Sequence, residues 1–349
     1  MKIAQVAPLF ESVPPQAYGG TERVVSYLTE QLVQLGHEVT LFASGDSVTA
    51  AELVPVCPRS LRLSKSPDPI AHHFLMLERV FSRASEFDFI HFHIDYFHFP
   101  LSRRNPVRQA TTLHGRLDLP DLPSLYAEFR DMPVVSISDA QRAPLPFANW
   151  QATVYHGLPE TIFRFSENAE DYFAFIGRIS PEKGVDRAIE IARRVGRPLK
   201  IAAKVDRVDR HYFNTKIKPL LGHSLIEFVG EVTHREKEKL LGGACGLLFP
   251  IDWPEPFGLV MIEALACGTP VLAFRCGSVP EVLTDGVTGC IVDDVDDAAE
   301  SVQKLVRLDR RRCRNEFEAR FTARRMAHDY IRLYERLTAA RSARESAAA

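Results

Sequence analysis

Apolar residues recur along this chain in two rhythms that alternate. Short runs at residues 2–7, 38–43, 87–92, 108–113 and 133–137, most of them rich in apolar residues, have the length of strands. Between them the period lengthens. Val24, Val25, Leu28, Leu32 and Leu35 mark one face of a helix over 20–35, and Gly36 supplies its stop. A second helix is predicted over 71–84. The alternation then restarts, with strands predicted at 172–176, 199–203, 226–229, 246–249, 270–273 and 290–292, and helices at 185–195 and 233–241. Strand–helix alternation favours βα units and mainly parallel sheets, hence an α/β fold.

The pattern breaks after the run Val154-Tyr155-His156-Gly157-Leu158-Pro159, and the polar stretch 166–171 reads as a linker. Two α/β domains of similar size follow, 1–160 and 161–325, with 326–349 as a C-terminal helix and tail expected to pack back toward the first domain. The charge-rich segment 297–341 is predicted helical, and the Ala/Ser tail from Ser342 is expected to lack structure. Ligands of such folds bind beyond the carboxyl ends of the strands.

Composition narrows the partners. A net charge of −2 over 349 residues does not suit a nucleic-acid binder. The basic runs at 193–200 and 309–325 read as solvated helix faces, with docking on an acidic membrane surface as the alternative. No apolar run reaches the ~18 residues that cross a bilayer. The N-terminus reads as a strand rather than a signal peptide, and the cysteine usage makes the cytoplasm the natural compartment. Cys57, Cys245, Cys267, Cys276, Cys290 and Cys313 include no C-x2-C pair, so they are expected as core thiols.

The chemistry concentrates at E-P-F-G-L-V-M-I-E-A, from Glu255 to Ala264. A helix starting at Gly258 places free backbone N–H groups and a positive dipole end where an anion binds. Glu255 and Glu263 stand eight residues apart, about 12 Å of rise if all were helical. Glycoside hydrolase carboxylates flank one bond at ~5–9.5 Å. The pair therefore suits two grips on one long ligand.

Gly19-Gly20, between the first strand and helix, allows close backbone approach to a phosphate or sugar. Neither G-x-G-x-x-G nor G-x4-G-K-[ST] occurs, which weakens dinucleotide and P-loop readings. Arg178 and Lys183, five apart at a strand end, can converge on a diphosphate; a solvated Arg–Glu turn is the bland alternative. His114 ends a strand, where it can bond a sugar hydroxyl or handle a proton near neutral pH. His91, His93, Asp95 and His98 form a polar cluster that fits cleft lining or acceptor contacts better than a metal.

Taken together, the E-x7-E segment, the Arg178/Lys183 pair and Gly19-Gly20 resemble glycosyltransferase family 4, retaining enzymes of the GT-B fold, over nearly the whole chain. Tyr18-Gly19-Gly20-Thr21-Glu22-Arg23-Val24-Val25 and 41–47 resemble a subset described as UDP-glucose:tetrahydrobiopterin glucosyltransferases. The resemblance implies two Rossmann-like domains facing each other across a cleft that holds a nucleotide sugar. It implies that Arg178 and Lys183 neutralise the diphosphate and that Glu255, with the backbone at Phe257, Gly258 and Leu259, contacts the donor sugar. Glu263 is implied on the ribose, the nucleobase near Val232, and His114 beside the sugar; no cofactor or metal is expected. His156-Gly157 departs from the Asn-Gly of many relatives. The expected reaction is transfer of a hexose, glucose first, from a UDP-sugar to a hydroxyl acceptor. A GT-B nucleotide-sugar epimerase and a non-catalytic nucleotide-sugar-binding protein are the alternatives.

Overall fold

The structure, a computed structural model, describes residues 1–16 and 19–348. Tyr18, which opens the 18–25 motif, lies outside the described residues. The chain divides into two compact units, Met1–Pro159 with Ala323–Ala349, and Glu160–Thr322.

The first unit is built on a seven-stranded parallel sheet: β1 (Lys2–Val6), β2 (Glu38–Ala43), β3 (Glu52–Pro55), β4 (Phe89–Phe92), β5 (Gln109–Thr112), β6 (Val134–Ser136) and β7 (Trp150–Thr153). Their spatial order is β3-β2-β1-β4-β5-β6-β7. The inner strands β1, β4 and β5 are almost wholly buried, as parallel strands covered on both faces should be. One core gathers Ala4, Val6, Phe42, Ile90 and Phe92 under Met76, Leu77 and Val80 of the helix Pro69–Ser82. The pattern does not predict β3 and β7. Both are edge strands, short and only half buried, so neither carries the continuous apolar run of an inner strand.

The second unit holds six parallel strands: β8 (Phe173–Arg178), β9 (Leu199–Lys204), β10 (Ile226–Gly230), β11 (Gly246–Phe249), β12 (Val271–Phe274) and β13 (Gly289–Val292), in the order β10-β9-β8-β11-β12-β13. The helix Val185–Val195 buries Val185, Ala188, Ile189, Ile191 and Ala192 against this sheet. Its strongly polar opposite face explains why the period alone located it.

Three expectations are corrected. The polar run 166–171 is not a linker. Ser166 N bonds Cys267 O at 3.0 Å and Glu170 N bonds Gly243 O at 2.7 Å, which ties it into the second unit. The basic run after 309 is not simply a solvated face. Arg310 is half-buried and donates to the carbonyls of Ser166, Gly242 and Ala244, and Arg314 to those of Phe163 and Ala266. The Ala/Ser tail is helical, part of Ala323–Ala348. Ala, Arg and Glu are strong helix formers, and a helix already nucleated by packed residues extends at little cost. The anchors are Arg325, bonded to the carbonyls of Tyr155 and His156, and the buried Tyr330 and Tyr334. Among the described residues no helix is long and apolar enough to cross a membrane.

Candidate active site

In the second unit, the loops after β8, β11 and β12 converge beyond the carboxyl ends of their strands. Arg178 is the last residue of β8, and Lys183 closes the short 3₁₀ turn Pro181–Lys183. Gly184 follows at φ +70°, and a Cβ there would stand 2.1 Å from Pro250 O. Only glycine lets this loop lie so close to the end of β11. Asp252 N then bonds Glu182 O at 2.8 Å, and Arg187 Nε bonds Pro250 O at 2.8 Å, clamping the two loops together.

This clamp places Lys183 Nζ on Glu255 Oε2 in a close ion pair, 72 positions apart in sequence, with the ammonium 4.6 Å from the Trp253 ring centroid. Arg178 faces acids of its own: Glu182 at 2.5 Å and Asp209 at 3.5 Å. The Arg–Glu turn read as the bland alternative is therefore present, while Lys183 is turned to the glutamate segment.

Glu255 and Glu263 are buried, 9% and 4% exposed. Gly258, at φ +78°, caps the helix Leu259–Cys267. Its backbone conformation costs an L-residue about 1–2 kcal/mol. Glu263 lies on the second turn of that helix, and its Oε1 accepts from Lys237 Nζ at 2.6 Å. Lys237 belongs to the helix His234–Gly243, whose start is fixed by a Thr233/Glu236 capping box directly after half-buried Val232. Phe257 is buried and Leu259 opens the helix.

Two supports of this site escaped the sequence reading. Ser278 N bonds Glu255 O at 3.0 Å and Ser278 Oγ bonds Phe257 O at 2.9 Å, so the turn after β12 holds the Glu255 loop from behind. The run Cys276-Gly277-Ser278-Val279-Pro280-Glu281 carried a signal, a glycine turn closing a predicted strand. Lys237 carried none, because H-R-E-K-E-K reads as a solvated helix face.

In the first unit, Gly19 precedes the helix Gly20–Gln34. A Cβ on it would lie 2.8 Å from Pro15 Cβ and 3.1 Å from Glu22 Oε2. Glu22, in the first helical turn, is buried, and desolvation pushes its carboxyl up. His114, two residues beyond β5, bonds His93 Nδ1 through Nε2 at 2.8 Å, and His93 Nε2 bonds Gln5 Oε1 at 2.8 Å. The chain of contacts continues inward through Tyr334, His91 and Thr112. His98 is spent on Ser102 and Thr111. These ring nitrogens hold the interior together. Among the described residues no group of three His, Cys, Asp or Glu is placed to hold a metal ion.

Desolvation lowers the His114 pKa to about 3. The ring is therefore neutral at pH 7. Its Nδ1 is buried without a hydrogen-bond partner among the described residues. Asp95, exposed, sits just past β4 at φ +51°, a conformation uncommon for a non-glycine residue.

Comparison with known proteins agrees with this architecture. Residues 18–155 match the model "Glycosyltransferase Family 4" and residues 160–321 match "Glycosyl transferases group 1". An uncharacterized glycosyltransferase of Methanocaldococcus jannaschii is 25% identical over 197 residues, 54% of this chain and 55% of that protein. Alpha-maltose-1-phosphate synthase of Mycobacterium tuberculosis is 30% identical over 146 residues, 38% of each. The chain thus matches about half or less of the length of these curated relatives. Two solved structures share the fold: AviGT4, a glycosyltransferase involved in avilamycin A biosynthesis (TM-score 0.75, 24% identity, 97% of this chain and 98% of that one), and Anabaena HepE in complex with UDP and glucose (TM-score 0.70, 17% identity, 95% and 98%). A family 4 glycosyltransferase domain followed by a group 1 domain, each on its own parallel sheet, makes this chain a member of the glycosyltransferases of the GT-B fold.

Proposed function

We propose that this protein transfers a hexose, glucose as first candidate, from a UDP-sugar to a hydroxyl acceptor with retention of anomeric configuration. The observation that carries the reading is the pair of buried glutamates, each held by a lysine, on either side of the helix start at Gly258. Two fixed carboxylates accept hydrogen bonds from hydroxyls, Glu255 from those of the sugar and Glu263 from those of the ribose. The diphosphate lies between them, against the helix N-terminus and the cations Arg178 and Lys183. Solved relatives of the same fold that hold UDP and glucose support the choice of donor.

In this reading the bond from the anomeric carbon to the leaving phosphate oxygen breaks first. Negative charge grows on the diphosphate, where Arg178, Lys183 and the Gly258 amide end stabilise it. The acceptor hydroxyl attacks the same face, and its proton passes to the departing phosphate oxygen. The two cations stand where a divalent metal otherwise would, so transfer proceeds in excess EDTA.

Thermal-shift screening against UDP-, GDP- and ADP-sugars tests the donor. A ligand at ~100 times its dissociation constant adds about 2.7 kcal/mol of stability. UDP-glucose is expected to give the largest rise in Tm and to release UDP only when an acceptor is present. Conversion of the donor alone to an epimer would overturn the transferase reading, and binding with no turnover on any acceptor would replace it with a binding protein.

A further inference from the structure

Glu255 and Glu263 share an arrangement that their sequence spacing does not reveal. In each, one carboxylate oxygen is held by a lysine, Glu255 Oε2 by Lys183 and Glu263 Oε1 by Lys237. The second oxygen of each makes no hydrogen bond among the described residues, and neither is a sealed-off orphan atom. At Glu263 the environment is tighter, since the Glu263 side chain is only 6% exposed and that of Lys237 18%. The lysine is itself held. Its ammonium lies 5.7 Å from the Phe163 ring centroid, and that ring packs on His234, whose Nε2 bonds Ile162 O at 2.8 Å. A buried carboxylate without a cation protonates or turns toward another donor. With Lys237 on Oε1 the carboxylate has a fixed orientation that leaves Oε2 as the open acceptor.

We propose that Lys237 is a specificity-determining positioning residue: by fixing one oxygen of Glu263 it presents the other to the hydroxyls of a nucleotide ribose. This rests on the reading of Glu263 as the ribose grip. A positioned acceptor with one open oxygen rewards a ligand hydroxyl and gains nothing from a deoxy carbon. Lys237 therefore governs the preference for ribonucleotides over deoxynucleotides without touching the nucleotide. A role limited to stability would weaken the binding of both alike.

The test is a cycle of dissociation constants, measured by calorimetry on the full chain at pH 7.5, for UDP and 2′,3′-dideoxy-UDP. The wild type is expected to prefer UDP by ~10-fold or more, the worth of a hydrogen bond to a charged group. In Lys237→Met that preference should shrink at least threefold, and Lys237→Arg should restore it. A ratio unchanged or enlarged in Lys237→Met overturns the proposal, while UDP binding by the wild type leaves the donor-site reading standing. A wild type that binds UDP and its dideoxy analogue equally overturns the ribose reading of Glu263 and the proposal with it; one that binds neither overturns the UDP reading as well. If Lys237→Met does not fold, Lys237→Gln, which keeps length and polarity, takes its place with the same expectation.

Discussion

A Cβ on Gly277 would stand 2.4 Å from both the backbone nitrogen and the backbone oxygen of Glu255. The turn after β12 thus reaches the Glu255 loop at a distance that no side chain permits, and its φ of +54° is itself strained for other residues. Gly277→Ala is expected to displace the Glu255 loop while both sheets remain. Transfer should fall at least ~100-fold, as expected when a positioned group shifts by about 1 Å. Circular dichroism should stay close to wild type. Activity near normal would show that the Glu255 backbone is not held by this turn.

Lys183 is the cation that the fold aims at Glu255, whereas Arg178 is surrounded by Glu182 and Asp209. Lys183→Ala should lower kcat by ~10²–10³, the usual loss for one stabilising donor at a developing charge. Arg178→Ala should cost less, because the arginine must first be drawn from its own acids. Steady-state kinetics with a saturating acceptor would rank them, and a larger loss for Arg178→Ala would reverse the assignment.

Acid should destabilise the first unit. His91, His93, His98 and His156 are lowered well below the usual imidazole range by burial, and His114 to about 3. Each is neutral when folded and takes up a proton near pH 6.5 when unfolded. Their contribution to stability is thus complete above about pH 6.5 and is lost as pH falls below it. Urea unfolding at pH 7.5 and 5.5 should therefore show a loss of more than ~1.4 kcal/mol, one proton per pH unit. Equal stability at the two pH values would contradict the buried neutral histidines.

Arg310 is expected to be a structural staple of the second unit. It donates at 2.7–2.8 Å to the carbonyls of Ser166, Ala244 and Gly242 and at 3.0 Å to Thr269 Oγ1. Arg310→Met keeps much of the bulk but strands these acceptors, at ~1–3 kcal/mol for each buried group left unpaired. A drop of several kcal/mol in unfolding free energy is predicted, with nucleotide affinity unchanged in the protein that remains folded. A change under ~0.5 kcal/mol would place the arginine among ordinary surface charges.

Much of this protein is fixed locally. The inner strands, the helix Val185–Val195 and the glutamate segment ending at Gly268 follow from apolar period, glycine stops and helix propensity, which act over a few residues. The edge strands β3 and β7 and the full length of the last helix depend on which neighbours are already in place, so the residues alone left them open. The site divides in the same way. Glu255, Glu263, Arg178, Lys183 and Gly258 stand out as candidates in the sequence because their residue types and spacing suit that chemistry. That Lys183 meets Glu255 across 72 positions, that Lys237 holds one oxygen of Glu263, and that His114 bonds His93 could be settled only by parallel strands bringing distant loops to one sheet edge. Burial then decides how each charge behaves, and burial is a property of the assembled core.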